Sequence, residues 1–267
     1  MARRIRIGIL VSISVILLCA GAFAQAAEKP TLYVYVGWWD VPREKWAAFV
    51  QDYEKNEMPV MDRLVDEGIL TEYGLDASGL HNPDGYSHST WMVSTSTGNL
   101  ERALDAYYAS AGADADRMEA EFATLIKKHM DGTFQSDHYG TRPAKLSKGY
   151  FNSSSIRVKR GKSDDFVKLW ETWAQPVFEQ LLADGTIVSY GLDTPLHHTS
   201  TDSLGQMVTW YVLENMDQDS KVDAAFEAAR EKLSGTERAG RNGLYWSLVH
   251  EDSHRDDFTR LIHFRTK

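Results

Sequence analysis

Cysteine is almost absent from this sequence. The single one, Cys19, falls among the first 27 residues, which read as an export signal. Arg3, Arg4 and Arg6 form a basic head, Ile7 to Ala20 an apolar run, and Ala22-Phe-Ala24 and Ala24-Gln-Ala26 offer small-residue cleavage sites. The run is shorter than the roughly 20 residues a membrane-spanning helix needs. Cys19 lacks the small residue expected just before a lipidated cysteine, and the rest of a twin-arginine signal is missing, which favours the general secretory route. A mature chain starting near residue 28 has no cysteine, and that excludes disulfides, zinc–thiolate sites and cysteine nucleophiles. Basic charge is scarce too. Removing the three arginines from 29 basic residues leaves 26 against 38 acidic ones, a net charge of −12. Such a surface repels phosphate backbones and argues against nucleic acid as a partner. The expected location is periplasmic or secreted, with no membrane attachment after cleavage.

The most specific catalytic spacings are missing as well. There is no Gly-x-Gly-x-x-Gly, no Walker-type loop, no Gly-x-Ser-x-Gly elbow and no His-Glu-x-x-His, and no His-x-x-x-His falls on an expected helix. What the chain does have is an internal likeness. Pro59-Val-Met-Asp-Arg-Leu-Val-Asp-Glu-Gly68 runs on to Tyr73-Gly-Leu-Asp76. Pro176-Val-Phe-Glu-Gln-Leu-Leu-Ala-Asp-Gly185 runs on to Tyr190-Gly-Leu-Asp193, 117 positions later without a gap. That period is too long for a solenoid and points to a duplicated domain. Ser89-Thr-Trp91 and Val208-Thr-Trp210 match as well, after a two-residue shift.

Within each copy a strand-like stretch opens the unit (Thr31 to Trp39, and Tyr150 to Val158). An apolar helical stripe follows and ends at Gly68 or Gly185. Strands are expected next at Ile69 to Leu75 and Tyr86 to Thr95, and at Thr186 to Leu192 and Gln206 to Leu213. Helices are expected at Asn99 to Ala111 and Asp116 to Met130, and at Ser220 to Leu233 and Glu237 to Val249, before closing strands at Thr133 to Tyr139 and Phe258 to Phe264. Asp76 to Gly85 and Thr194 to Ser203 read as loops, and Pro59 is expected to kink or break its helix. Each unit is therefore β-α-β-β-α-β. The expected domains are a signal at 1–27, a first ferredoxin-like repeat at 28–140, a linker at 141–148 and a second repeat at 149–267. The fold class is α+β, two repeats whose antiparallel sheets cover each other as one barrel.

With that element order, the duplication and the glycine-to-Tyr-Gly-Leu-Asp turn, the chain resembles the dimeric α+β barrel superfamily in a single-chain, tandem-fused form. The resemblance spans nearly the whole mature chain and rests on no catalytic signature. It implies a range of activities: cofactor-free quinol monooxygenases, haem-binding enzymes, small lactone isomerases and stress-responsive proteins. Fold alone does not choose among them. A fused barrel further implies a monomer or a loose homodimer.

Several residues could carry chemistry. His81 and His198 each follow the Asp of the tetrad by five residues, with His197 adjoining. His138 and His254 each precede or enter a closing strand, and His88 shares a strand face with Thr90 and Met92. Imidazoles beside carboxylates can ligate a metal or haem, or shuttle protons. Histidines in polar loops are also commonly just solvated. His88, His138, Tyr73 and Tyr190 are the catalytic candidates; with Asp76 and Asp193, the tyrosines could orient or deprotonate a phenolic or enolic substrate. The structural account of the tetrad is the stronger one: aromatic packing, a close backbone approach at glycine and a turn at aspartate. Trp38, Trp91 and Trp210 could line an aromatic pocket, and His81, His198 and His254 could contact a ligand at its mouth. No metal ligand set is assigned. The cofactor stays unknown, with haem or a divalent metal disfavoured. Three functions follow: an exported small-molecule-binding or stress-related barrel, a cofactor-independent monooxygenase or isomerase, or a haem or metal protein using barrel-mouth histidines.

Overall fold

The computed structural model describes residues 29–79, 85–197 and 206–267. β1 (Leu32–Asp40) is followed by α1 (Trp46–Asp52), α2 (Met58–Asp66), β2 (Glu72–Ser78), β3 (His88–Ser94), α3 (Thr97–Ala111), α4 (Ala115–Ala123) and β4 (Lys128–Thr141). A short β5 (Ala144–Leu146) leads to β6 (Gly149–Arg157), α5 (Ser163–Trp173), α6 (Gln175–Ala183) and β7 (Ser189–Pro195). Then come β8 (Gln206–Leu213), α7 (Asp219–Glu231), α8 (Gly235–Leu248) and β9 (Arg255–Thr266). The strands are antiparallel in the order β2-β3-β1-β4-β7-β8-β6-β9, and β9 returns to pair with β2. Eight strands thus close into one barrel, while β5 extends the β6 edge along β9. The sheets do not stack face to face as two layers. They join edge to edge at two seams, β4 with β7 and β2 with β9. Each seam carries one register shift, between Ser136 and His138 and between Leu75 and Asp76, of the kind that bends a strand and re-aims its side chains.

Strand alternation separates two environments. On β1, Leu32, Val34, Val36 and Trp38 face the barrel interior, while Tyr33, Tyr35 and Trp39 face the helices. The helices bury their apolar stripes on the outside of the barrel. Phe49, Met61 and Leu64 pack with Leu75 on one side, and Phe166, Phe178 and Leu181 with Leu192 on the other. Gly68 and Gly185 follow α2 and α6 at φ 74° and 79°, the left-handed conformation that ends a helix cheaply only with glycine.

Four boundaries differ from expectation. The α1–α2 helix is neither broken nor simply kinked near Pro59: it widens into a π turn at Tyr53–Glu57, which accommodates the missing N–H and the ring of the proline. The helix expected to reach Met130 stops at Ala123, because Lys128, His129 and Met130 pair with Asp40, Trp39 and Trp38 of β1. Strand pairing over that length outweighs local helix propensity. Asp76 and Thr194 lie inside strands rather than loops, paired with Ser89 and Gln135. The expected linker contains β5, with Ala144 opposite Thr266 of β9.

Candidate functional site

The barrel encloses a cavity of about 410 Å³, within the usual range for small-molecule sites. Every strand of the ring contributes, because the inward face of each is what fills or lines a barrel. The walls are mostly apolar. Trp38, Trp91, Val93, Phe134, Phe151, Val208 and Trp210 supply them, and Trp91, Phe151 and Trp210 form a row with ring centres 5.6 and 6.0 Å apart. Pro30, Thr71, Thr95, Thr141 and Thr266 line the cavity at the end of the barrel where β1 begins and β9 ends. At the other end the edge-to-face pair Trp38–Phe134 separates it from a second, more polar hollow lined by Asp131, Arg157, His197 and Arg255.

Against these walls stand three carboxyl groups. Glu72 and Asp76 alternate with Gly74 on the inward face of β2, and Asp193 takes the matching place on β7. All three are buried, Asp76 to 1% exposure. Ser89 Oγ donates to Asp76 Oδ1 at 2.7 Å, Trp91 Nε1 donates to Glu72 Oε1 at 3.2 Å, and Ser136 Oγ donates to Asp193 Oδ1. Burial disfavours the ionised form and raises all three. Glu72 is pushed up to about 8, by burial and then by the negative charge of Asp193, against the Trp91 hydrogen bond. Asp193 rises to about 7, by burial against the Trp210 indole. That indole N–H is buried and has no partner of hydrogen-bonding geometry, so its effect on Asp193 is that of a nearby dipole. Asp76 rises only to about 6, because the hydrogen bond from Ser89 and the nearby Thr259 hydroxyl offset burial. These are acids poised to exchange a proton near neutral pH in a water-poor space.

The residues singled out from sequence fall into three places. Trp38, Trp91 and Trp210 line the cavity. Tyr73, Tyr190 and His88 face the helices. Tyr73 Oη donates to Asp62 Oδ1 at 2.6 Å and meets His263 Nε2 at 2.8 Å, while Tyr190 stacks on Phe178 at 5.3 Å. His88 sits between Trp46 and Phe49, each at 4.9 Å, with Nδ1 3.0 Å from Ser87 Oγ and Nε2 buried without a partner. Burial, then the Arg43 charge, pushes it down to about 4, so it is neutral at physiological pH. His138, beyond the β4 bulge, lies outside the barrel against Trp170 and 3.5 Å from Glu171. His254 is on the surface beside Ser154 and Asp256. His81 and His198 lie outside the described residues. The described histidines are therefore not gathered at one mouth. Glu72 was not singled out from sequence; its signal was the alternation Glu72-Gly74-Asp76 on the face opposite Tyr73.

Haem ligation inside this cavity does not fit the described residues that line it. Among the described residues no histidine, cysteine or methionine lines the cavity, and the one lining tyrosine, Tyr139, donates its hydroxyl to Pro30 O at 2.9 Å. No group of three His, Cys, Asp or Glu among the described residues is arranged to hold a metal, and no described helix is long and apolar enough to cross a membrane.

No family model matches the sequence, and no curated protein matches it. Solved structures do match, as α+β barrels of the dimeric α+β barrel kind. The chain is similar to a putative monooxygenase from Lactobacillus acidophilus (12% identity, 89% of this chain and 97% of that one, TM-score 0.58). It is similar to a putative monooxygenase from Fusobacterium nucleatum (9% identity, 89% and 94%, TM-score 0.62). An anthrone oxidase-like protein also matches (14% identity, 90% and 94%, TM-score 0.50). At these identities the likeness shows the fold: this is a single-chain antiparallel α+β barrel with an interior cavity.

Proposed function

We propose that this chain is a small-molecule-binding α+β barrel whose binding site is the interior cavity. The observation that carries this reading is the cavity itself: about 410 Å³ walled by Trp38, Trp91, Phe151 and Trp210, with a few convergent polar groups. Titration with 1-naphthol, followed by quenching of tryptophan fluorescence, tests it. Saturable binding is expected, and it should be lost when Val93→Trp or Ser153→Phe fills the interior. Non-saturable quenching, unchanged in both variants, would refute it.

A second reading, cofactor-independent acid–base chemistry on a small aromatic or enolic molecule, is favoured by one feature. Asp76 and Asp193, raised to about 6 and about 7, can accept a proton from a phenol or enol at neutral pH. Trp38, Trp91 and Trp210 would then be the walls that orient the substrate. His88, His138, Tyr73 and Tyr190 would act only through packing and hydrogen bonding outside the cavity. Names of similar structures, putative monooxygenases among them, are compatible with this. We further propose that the two halves are tandem copies of one ferredoxin-like unit, since β2-β3-β1-β4 and β7-β8-β6-β9 repeat one strand order. Both seams lie within one chain, so a monomer or loose homodimer suffices. Export to the periplasm or beyond rests on residues 1–27.

A further inference from the structure

The cavity's polar groups are all of one kind. Three carboxyls and several hydroxyls face inward, and among the described residues no basic side chain balances them. Lys267 is the one described basic residue at the lining. A Cβ placed on Gly68, at the end of α2, would lie 3.1 Å from its Nζ, so its ammonium is directed to that helix end. Glu72 feels the Trp91 indole and the Asp193 charge, and Asp193 feels the Trp210 indole and the Ser136 hydroxyl; none of these partners is a lysine, arginine or histidine. Asp76 meets Ser89 and Thr259, with the Asp257 charge opposing ionisation. Burying three carboxyls without a cation is costly, and in an ordinary core such groups are paired or replaced. The aromatic row Trp91–Phe151–Trp210 offers the π faces that attract cations, tryptophan best of all. Trp210 lines the cavity at 9% exposure and keeps its N–H without an acceptor, a polar group left for an ionised Asp193 or a ligand oxygen to satisfy.

We propose that the ligand of this cavity is an organic cation, a protonated amine on a flat apolar body, with its ammonium among Glu72, Asp76 and Asp193 and its body against Trp91, Phe151 and Trp210. This rests on the ligand-binding reading above and adds the charge of the ligand to it. Folding has already taken the carboxyls out of bulk water. A cation therefore gains their attraction without a second desolvation cost on the protein side, whereas an anion is repelled by every carboxyl that is ionised. Binding draws the carboxyls toward the ionised form, so the protein releases protons as the amine enters. The N–H groups of the ammonium donate to the carboxylate oxygens.

The test is a matched set of three probes, 1-naphthylmethylamine, 1-naphthalenemethanol and 1-naphthoate, titrated calorimetrically into the full mature chain at pH 8 and pH 5. The amine is expected to bind about ten- to a hundredfold more tightly than the alcohol at pH 8, the range of a hydrogen bond to a charged group. The preference should shrink toward unity at pH 5, where all three carboxyls hold their protons. A further titration at pH 7, run in buffers of different ionisation heat, should show protons released with the amine and none with the alcohol. In E72Q/D76N/D193N the ratio of amine to alcohol affinity should fall to about one. Equal affinity for amine and alcohol in the unaltered protein, or tighter binding of naphthoate, overturns the inference and leaves the cavity reading standing. Heat from none of the three probes overturns both.

Discussion

Tyr73-Gly74-Leu75-Asp76 on β2 and Tyr190-Gly191-Leu192-Asp193 on β7 occupy matching places on opposite sides of the barrel. In both, the tyrosine and leucine go to the helices. The glycine makes room for a tryptophan lying across it, Trp91 or Trp210, and the aspartate enters the cavity. Around that shared frame the chemistry diverges. The first half adds Glu72 where the second has Ser189, and it supports Asp76 with a hydrogen bond from Ser89 and the nearby Thr259 hydroxyl. Asp193 has Ser136 Oγ from across the seam and stays further from its ordinary range. On the helix side the order of support reverses: Tyr73 is held in a network of charged partners, while the buried Tyr190 hydroxyl has none of hydrogen-bonding geometry. The same backbone thus gives a charged network outside the barrel in one half and the more perturbed of the two aspartates inside it in the other.

The largest effect that could break this comparison is electrostatic. A carboxyl whose folded pKa is raised binds its proton more tightly when folded than when unfolded. Its penalty is absent below the unfolded value and grows as pH rises to the folded one. For Asp193 that window runs from 3.8 to about 7, for Asp76 from 3.8 to about 6, and for Glu72 from 4.5 to about 8. The protein should therefore gain stability on acidification from pH 8 to pH 5. Asp193→Asn should stabilise the fold at pH 8 by at most about 4 kcal/mol, because each tenfold change in proton affinity is worth about 1.4 kcal/mol. Asp76→Asn should stabilise it less. Thermal melts across pH 5 to 8 for both variants check this, and a larger rise in midpoint from Asp76→Asn would invert the comparison.

The barrel itself was legible because it is written locally. Strand alternation, glycine stops at Gly68 and Gly185, and the repeated element order need no long-range information. The cavity tryptophans were legible for the same reason, since inward positions on β1, β3 and β8 follow from the period of two. Glu72 was not, because a glutamate between Thr71 and Tyr73 looks like any solvated residue until β9 closes on β2 and encloses it. The histidines drew attention through their chemistry rather than their place. His88 shares a face with Thr90 and Met92, which the helices cover, and the bulge after Ser136 turns His138 outward.

A smaller and steric difference separates the two glycines. A Cβ on Gly74 would lie 2.3 Å from Trp91 Cζ2, and one on Gly191 would lie 2.7 Å from Trp210 Cζ2. Neither ring can stay in place against such a methyl, and overfilling of this kind costs about 1–3 kcal/mol. Gly74→Ala should fall at the upper end and Gly191→Ala at the lower, measured by urea unfolding at pH 7. Both should also push a tryptophan into the cavity and weaken 1-naphthol binding. If Gly191→Ala destabilises more, the second half is the more tightly packed one.

The finest contrast lies in two hydroxyl groups. Tyr73 Oη joins Asp62 and His263, and Asp62 also receives Arg265 Nη1 at 2.8 Å and Lys145 Nζ at 2.9 Å. Burial pushes the Asp62 carboxyl up, but hydrogen bonds from Tyr73, Lys145 and Arg265 outweigh it and hold it down to about 2. This stabilisation is complete above the ordinary value of 3.8 and is lost as pH falls toward 2. Tyr73→Phe takes one of three donors from the partly buried Asp62 carboxylate and a partner from the buried His263, and should cost about 1–3 kcal/mol at pH 7. It should also shift acid unfolding upward in pH, because Asp62 then protonates sooner. Tyr190→Phe removes a hydroxyl that has no partner to lose, so the expected change is within about 0.5 kcal/mol and of either sign. Equal losses in the two variants, measured by urea unfolding, would mean that Tyr190 has a partner in solution. Glu179, which together with burial pushes the phenol up to about 12, is then the group to remove next.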